Sequence, residues 1–100
     1  MVEEMIKFRK MLDDRGIEWV DKSDPESQLY RIDRTHFWYR NYHYSVINGY
    51  GTYGGNLYPN NGNGGLLEVM SNAINDGEPE GWLTAEDVMK LVIEEEVKSC

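Results

Sequence analysis

The sequence predicts an α+β fold, in which a small antiparallel sheet of three to five strands carries an N-terminal and a C-terminal helix. Both ends of the chain have apolar residues at helical spacing, and the middle is rich in aromatic and β-branched residues, which strands favour. The pattern of helix, strand, hairpin, loop, strand and helix indicates an antiparallel sheet with both helices on one face. A length of 100 residues predicts a single domain, residues 1–100.

A helix is predicted over residues 2–15. The apolar residues that would share one face of it recur at spacings of four, three and four: Met1, Met5, Phe8 and Leu12. Gly16 follows at the position where a helix often ends in a left-handed conformation. Residues 17–20 then begin an extended piece, and residues 21–27 form a polar turn.

Residues 28–58 are predicted to form strands. The alternation of side chains is clean over residues 30–33, and the segments HFWYR and YHYSVIN have a strand-like composition. Arg40–Asn41 is the favoured hairpin tip. Asn48–Gly49 is the stronger turn dipeptide and competes with it, so the sequence leaves the register open.

Residues 49–65 contain seven glycines and four asparagines, which cannot supply a core. This composition predicts a loop, or a curved strand edge with bulges. Residues 66–70, LLEVM, are predicted to form a buried strand, with a short helix as the alternative. Residues 75–81, NDGEPEG, are predicted to form a turn.

The last helix is the best specified element. Thr84 is its predicted N-cap, and Asp87 is placed to reach back to the cap amide as in a capping box. Leu83 precedes the cap and is expected to pack on Val88. The predicted buried face consists of Val88, Leu91 and Val92. Residues 94–96 are three glutamates near the C-terminal end, where the helix dipole disfavours negative charge, so we expect fraying there.

Composition predicts a cytoplasmic protein. No run of 18 apolar residues is present, and the N-terminus lacks the pattern of a signal peptide. The single cysteine, Cys100, excludes an internal disulfide and suits a reducing cytosol. A net charge of −8 disfavours membranes and DNA or RNA duplexes as partners.

The charge is unevenly distributed. Residues 61–100 hold nine acids against two lysines, whereas residues 27–60 hold three arginines against one aspartate. The same central stretch contains both histidines and nine of the twelve aromatic residues. The middle of the chain is therefore cationic and aromatic within an acidic protein.

This central stretch supplies the candidate ligand-binding residues. Arginine forks match phosphate oxygens, and aromatic rings stack on bases at about 1–3 kcal/mol each. The residues predicted to bind phosphate are Arg31, Arg34 and Arg40. The predicted stacking residues are Trp38, Tyr39, Tyr42 or Tyr44, and the predicted hydrogen-bonding residues are His36, His43 and Asn48. Residues 49–56 are expected to close over the ligand, and the set as a whole suits a small nucleotide.

Other chemistry is less well supported by the sequence. His36 and His43, with Asp33, make a poor zinc pattern, so we assign no metal, no cofactor and no catalytic residue. Residues 43–45, His-Tyr-Ser, have the shape of one half of a two-histidine phosphoesterase site. The residues after His36 do not supply the second half, so a phosphohydrolase that uses His43 remains an alternative.

A second alternative is a protein that inhibits a host enzyme. The glutamates of the C-terminal part can mimic nucleic-acid phosphates and block a basic groove on another protein. The aromatic and cationic side chains of residues 27–60 are the other predicted contact surface, because Tyr, Trp and Arg are common anchors of protein interfaces.

The segments RGIEW at 15–19 and GWLTAEDVMKLV at 81–92 make the sequence similar to small phage and prophage accessory proteins. These are short acidic proteins with an initial amphipathic helix, an Arg-Gly-(Val/Ile)-Glu-Trp step and a terminal Leu-Thr-x-Glu helix. Phage genomes of this kind encode counter-defence proteins. Several of these bind cyclic or ADP-ribose-derived nucleotide signals of bacterial immunity and sequester them without cleavage, usually as oligomers with pockets at subunit interfaces.

The resemblance covers the two ends and carries over no binding residue. Together with the central stretch, it implies a homo-oligomeric protein of the host cytosol that binds and sequesters a small nucleotide-derived immune signal. A chain of this length has little room to enclose a pocket alone, which also favours a dimer or larger assembly.

Overall fold

The computed structural model describes residues 2–23, 32–49, 52 and 65–94. The elements follow one another along the chain: helix α1 Glu3–Asp14, strand β1 Trp19–Asp21, β2 Ile32–Tyr39, β3 Tyr42–Gly49, β4 Leu67–Met70, β5 Glu80–Leu83 and helix α2 Ala85–Met89. A short 3-10 turn, Asn75–Gly77, lies between β4 and β5, and α2 continues into a π-helical stretch, Lys90–Glu94.

The five strands form one antiparallel sheet in the order β1-β2-β3-β4-β5. This confirms the predicted α+β class, with an antiparallel sheet, an N-terminal helix and a C-terminal helix. The turn predicted over residues 75–81 is too long, because Glu80 and Gly81 already belong to β5. The pairing of β4 with β5 shifts register between Leu67 and Val69, as at a bulge.

The central hairpin joins β2 to β3 through Arg40–Asn41, as favoured from the sequence. Both residues have positive φ, 52° and 71°, which is the conformation of a type I′ turn. The competing tip, Asn48–Gly49, is wrong, because these residues pair with Asp33 and Ile32 inside the ladder. Eight cross-strand pairs outweigh the local turn preference of an Asn-Gly dipeptide.

Residues 67–70 form a strand and not the alternative helix. β4 lies between β3 and β5, so its backbone groups have partners on both edges. Leu67 and Val69 are fully buried, as expected for a strand that contributes to the core.

Both helices pack on the same face of the sheet. The apolar stripe of α1, represented by Met5, Phe8 and Leu12, is fully buried. The Phe8 ring lies 5.7 Å from that of Phe37 on β2. The remaining core side chains come mainly from β3, β4 and α2: Tyr44, Val46, Leu67, Val69, Val88, Met89 and Val92. One face of the sheet is therefore covered, as predicted.

The start of α2 has the predicted capping box. The amide of Asp87 donates to Thr84 Oγ1 at 3.2 Å, and the amide of Thr84 donates to Asp87 Oδ2 at 3.1 Å. Glu4 of α1 accepts a further bond from the amide of Ala85 at 2.7 Å. The two helices are thus joined by a hydrogen bond at a helix terminus as well as by apolar packing.

The predicted face of the last helix is also correct, since Val88 and Val92 are buried and Leu91 is half-buried. Predictions for most of the turn at 21–27, for residues 28–31, for most of 49–65 and for fraying at 94–96 concern residues or side chains outside those described. Among the described helices, none has the length and apolar character that crossing a membrane requires.

Candidate functional site

The face of the sheet opposite the helices is open among the described residues. Successive residues of a strand point to opposite faces, so β2 alternates between the two environments. Asp33, Thr35 and Phe37 are buried under the helices. The residues between and after them are half-buried or exposed and belong to the open face: Arg34, His36 and Trp38.

The register of the hairpin sets which side chains meet on this open face. Trp38 pairs with His43, and His36 pairs with Ser45. The open face continues onto both neighbouring strands, where Val20 of β1 pairs with His36 and Met70 of β4 pairs with Ser45. The result is a continuous surface of aromatic, apolar and small polar side chains.

Three rings of this surface form a cluster. The rings of His36 and His43 lie 4.6 Å apart, nearly perpendicular to each other at 82°. His43 also lies 4.8 Å from the indole of Trp38, which is 58% exposed. Among the described residues, neither imidazole has a hydrogen-bond partner.

A groove of about 650 Å³ opens beside this cluster. It lies between the β2–β3 hairpin and the segment that follows β4. Its lining consists of His36, Asn41, Tyr42, His43, Ser45, Met70, Ser71, Asn72 and Gly77. Imidazole, phenol, hydroxyl and amide groups thus surround a single open space, which can accept a ligand with both aromatic and polar parts.

The surroundings of His36 favour the neutral form of its imidazole. Partial burial lowers the pKa of His36 below its usual 6.5, and the nearby His43, Arg34 and Lys22 lower it further. A neutral imidazole has one N–H donor and one nitrogen acceptor, so it can bind either kind of ligand atom. The positive groups beside it also give this end of the open face a cationic character.

Three of the predicted site residues lie instead on the helix-covered face. Tyr44 is 4% exposed and stacks on Phe37 with ring centroids 5.0 Å apart. Asn48 is 5% exposed, and its Nδ2 donates to the carbonyl of Leu66 at 2.8 Å. Tyr39 packs against the core. These residues therefore stabilise the fold and do not reach the groove.

The predicted arginines do not converge on the groove. Arg34 lies on the open face, but its guanidinium donates to the carbonyl of Lys22 at 3.2 Å. Arg40 lies at the hairpin tip with its guanidinium 5.4 Å from the ring centre of Tyr39. Arg31 lies outside the described residues. Of the described residues that line the groove, none is an arginine or lysine.

The structure therefore brings together His36, Tyr42 and His43, with Trp38 beside them. The groove also contains residues that were not among the predicted binding residues: Asn41, Ser45, Met70, Ser71, Asn72 and Gly77. Ser45 was within reach of sequence reasoning, because it lies two residues from His43 on the same face of a strand. The residues after β4 were not, since their position depends on the pairing of β4 with β3.

A second hollow, of about 540 Å³, lies at the start of β1. It is lined by Asp13, Gly16, Ile17, Glu18, Trp19, Val20 and Trp38. The described residues contain no group of three or more His, Cys, Asp or Glu side chains arranged to hold a metal ion. Each of the two hollows is large enough to hold an organic ligand or a side chain of a partner.

The chain matches no protein-family model, no curated protein and no solved structure at a significant level.

Proposed function

We propose that this protein binds a small nucleotide-derived ligand in the groove beside β3 and retains it without cleavage. The observation that carries the proposal is the arrangement of His36, Tyr42 and His43, which line one open groove together with hydroxyl and amide groups. A volume of about 650 Å³ is within the usual range of small-molecule sites, roughly 300–1,000 Å³.

The aromatic groups suit the base of such a ligand. Tyr42 is 47% exposed and lines the groove, so part of its surface is accessible to a ligand. Trp38 lies against His43 and extends the aromatic surface beyond the groove. The imidazoles of His36 and His43 then supply hydrogen-bond donors and acceptors for the edge of a base or for ribose hydroxyls.

The charged end of the ligand is best placed toward β1. Arg34 and Lys22 lie close enough to His36 to lower its pKa, so their positive charge extends to this part of the open face. Acidic groups farther away are screened over a Debye length of about 8 Å in physiological salt. A small anion therefore tolerates the overall charge of −8 better than a long nucleic acid does.

Sequestration is proposed from the resemblance of the two ends of the chain to phage accessory proteins. In this role the protein lowers the free concentration of a nucleotide immune signal in the host cytosol. We further propose that it acts as a homo-oligomer, because the groove is open and a second subunit is able to complete its wall.

A thermal-shift screen tests binding. Cyclic dinucleotides and ADP-ribose derivatives at saturating concentration are expected to raise the Tm by several degrees, because a ligand that binds only the native state stabilises it. Tyr42→Leu should weaken binding about tenfold or more through loss of stacking, whereas Tyr42→Phe should retain it. Ile6→Ala, which alters an exposed residue of α1, is the control.

The arginines provide a second test of the same site. Arg34→Ala is expected to weaken binding, and Arg40→Ala, at the hairpin tip, is expected to have the smaller effect. If no compound of the screen changes the Tm, or if Tyr42→Leu binds as tightly as the unaltered protein, the groove is not a nucleotide site.

Cleavage is the second candidate function, and one observation favours it. The rings of His36 and His43 lie 4.6 Å apart, and His36 pairs with Ser45 across the hairpin, so two imidazoles and one hydroxyl share this surface. In a phosphodiester hydrolysis, neutral His36 would accept a proton from the attacking water as the new P–O bond forms. The imidazole of His43 would donate a proton to the leaving oxygen as the other P–O bond breaks.

Recovery of the ligand separates the two functions. After incubation and denaturation, chromatography is expected to return the ligand intact. A product that accumulates with time and disappears in His36→Gln and His43→Gln would replace sequestration by hydrolysis. Ser45→Ala serves as the companion variant, since it alters the groove and leaves both imidazoles in place.

A further inference from the structure

The second hollow, at the start of β1, has a chemistry different from that of the groove. Its walls include the indoles of Trp19 and Trp38 and the aliphatic side chains of Ile17 and Val20. The charged residues among its lining are both acidic, Asp13 and Glu18. An aromatic and apolar space with negative charge at its edge favours a cation that carries apolar groups.

Two contacts within the protein show how the hollow's side chains interact with a cation and with a hydrogen-bond donor. The guanidinium of Arg9 lies over the Trp19 ring, 4.6 Å from its centre. The indole Nε1–H of Trp19 donates to Asp13 Oδ1 at 2.9 Å, which fixes the carboxylate beside the ring. Trp38 is 58% exposed, so a large indole surface on the other side of the hollow remains in contact with solvent.

The position of β1 in the sheet suits a cation that is part of an extended peptide. β1 is an edge strand, and among the described strands only β2 pairs with it. An extended peptide can therefore add to its outer edge through main-chain hydrogen bonds, as in strand addition. A basic side chain of that peptide would then enter the hollow, with its charged end near the carboxylates of Asp13 and Glu18.

We propose that the hollow at the start of β1 binds an arginine side chain from an extended, basic segment of a partner protein. Arginine fits better than lysine, because its planar guanidinium stacks on indoles and makes two-point contacts with carboxylates. The proposal does not require the nucleotide groove, because Asp13, Glu18 and Trp19 do not line it. Trp38 lies beside both sites.

The probe is a synthetic peptide, acetyl-Thr-Val-Arg-Val-Thr-amide, added to the full chain. Binding is followed by NMR through the indole N–H signals of Trp19 and Trp38. Both signals are expected to shift saturably. The same peptide with citrulline in place of arginine keeps the shape and loses the charge, and it should bind at least several-fold more weakly. N-acetyl-arginine amide, which lacks strand residues, should also bind more weakly.

Matched variants assign the effect to the hollow. Asp13→Asn and Glu18→Gln are each expected to weaken binding of the arginine peptide several-fold, and the asparagine in the first can still accept the Trp19 bond. Asp14→Asn removes the same charge from a residue that does not line the hollow and should leave binding unchanged. Binding should also weaken with added salt, as expected for partly exposed charges.

Three results would overturn the proposal. One is the absence of indole shifts up to millimolar peptide, and another is equal binding of the arginine and citrulline peptides. The third is an equal loss in Asp13→Asn and Asp14→Asn, which would indicate general attraction to an acidic surface. Equal binding of N-acetyl-arginine amide and the peptide would overturn the strand-addition part.

Discussion

The two faces of the central hairpin carry similar kinds of residue in very different environments. Phe37 and Trp38 are neighbours in the sequence, yet Phe37 is fully buried and Trp38 is 58% exposed. On β3, Tyr44 is buried and His43 beside it is exposed. Aromatic composition therefore identifies the hairpin. The alternation of side chains along each strand decides which rings build the core and which are available to a ligand.

The largest expected difference between the faces is in stability. Phe37→Ala should reduce the free energy of unfolding by about 3–5 kcal/mol, because it leaves a cavity between Phe8 and Tyr44. Trp38→Ala should change it much less, since a mostly exposed ring loses little burial. Denaturant unfolding of the two variants measures the difference. Equal losses would show that the open face is covered and would contradict the difference in burial between Phe37 and Trp38.

The polar contacts under the helices provide the next test. Arg9 is largely buried on its side chain, and it donates to Thr35 Oγ1 at 2.7 Å and to the carbonyl of Arg34 at 3.1 Å. Arg9→Met should cost about 1–3 kcal/mol, because buried acceptors lose their donor. Lys10→Met, at the exposed neighbouring position, is the control and should stay within about 0.5 kcal/mol. Urea unfolding distinguishes them.

Arg9 also shows what the sequence was able to predict and what it was not. The helical spacing of Met5, Phe8 and Leu12 predicts α1 and its buried face, because that periodicity depends on local geometry alone. Nothing local indicates that Arg9 reaches across to Thr35 and Arg34, since those partners are fixed by the pairing of distant segments. The capping box at Thr84 was predictable because its partner lies three residues away.

The candidate site was predictable only in part for the same reason. The central stretch contains His36, Tyr42 and His43, which the structure places around one groove. The sequence did not indicate that Tyr44 and Asn48 point into the protein, because two competing turns left the register of the hairpin open. The turn fixes how the two strands pair. The pairing then decides which side chains lie together on each face and which residues line the groove.

Acid sensitivity near β1 is the third test. Hydrogen bonds from the side chain and backbone of Ser23, with Arg9 nearby, lower the pKa of Asp21 from 3.8 to about 2. The folded state therefore gains stability from this carboxylate above pH 3.8 and loses it as the pH falls toward 2. Asp21→Asn should flatten that part of the curve of unfolding free energy against pH. The effect should be modest, because the side chain is 56% exposed. A curve with unchanged slope below pH 4 would contradict it.

The smallest expected effect lies on the open face, at His36. Its pKa in the folded protein is below 6.5, chiefly because of burial, so the unfolded chain takes up a proton first as the pH falls. The contribution of neutral His36 is present above pH 6.5 and is lost as the pH falls through its lowered pKa. His36→Gln should flatten this part of the stability curve, and His43→Gln should do so partly, because it removes one of the charges that lower the pKa. Thermal unfolding between neutrality and about pH 5 measures both variants. Protonation of His36 adds a positive charge beside the anionic end of the proposed ligand, so binding should strengthen over the same interval. A ligand whose affinity is constant there while stability falls would show that the groove binds without this imidazole.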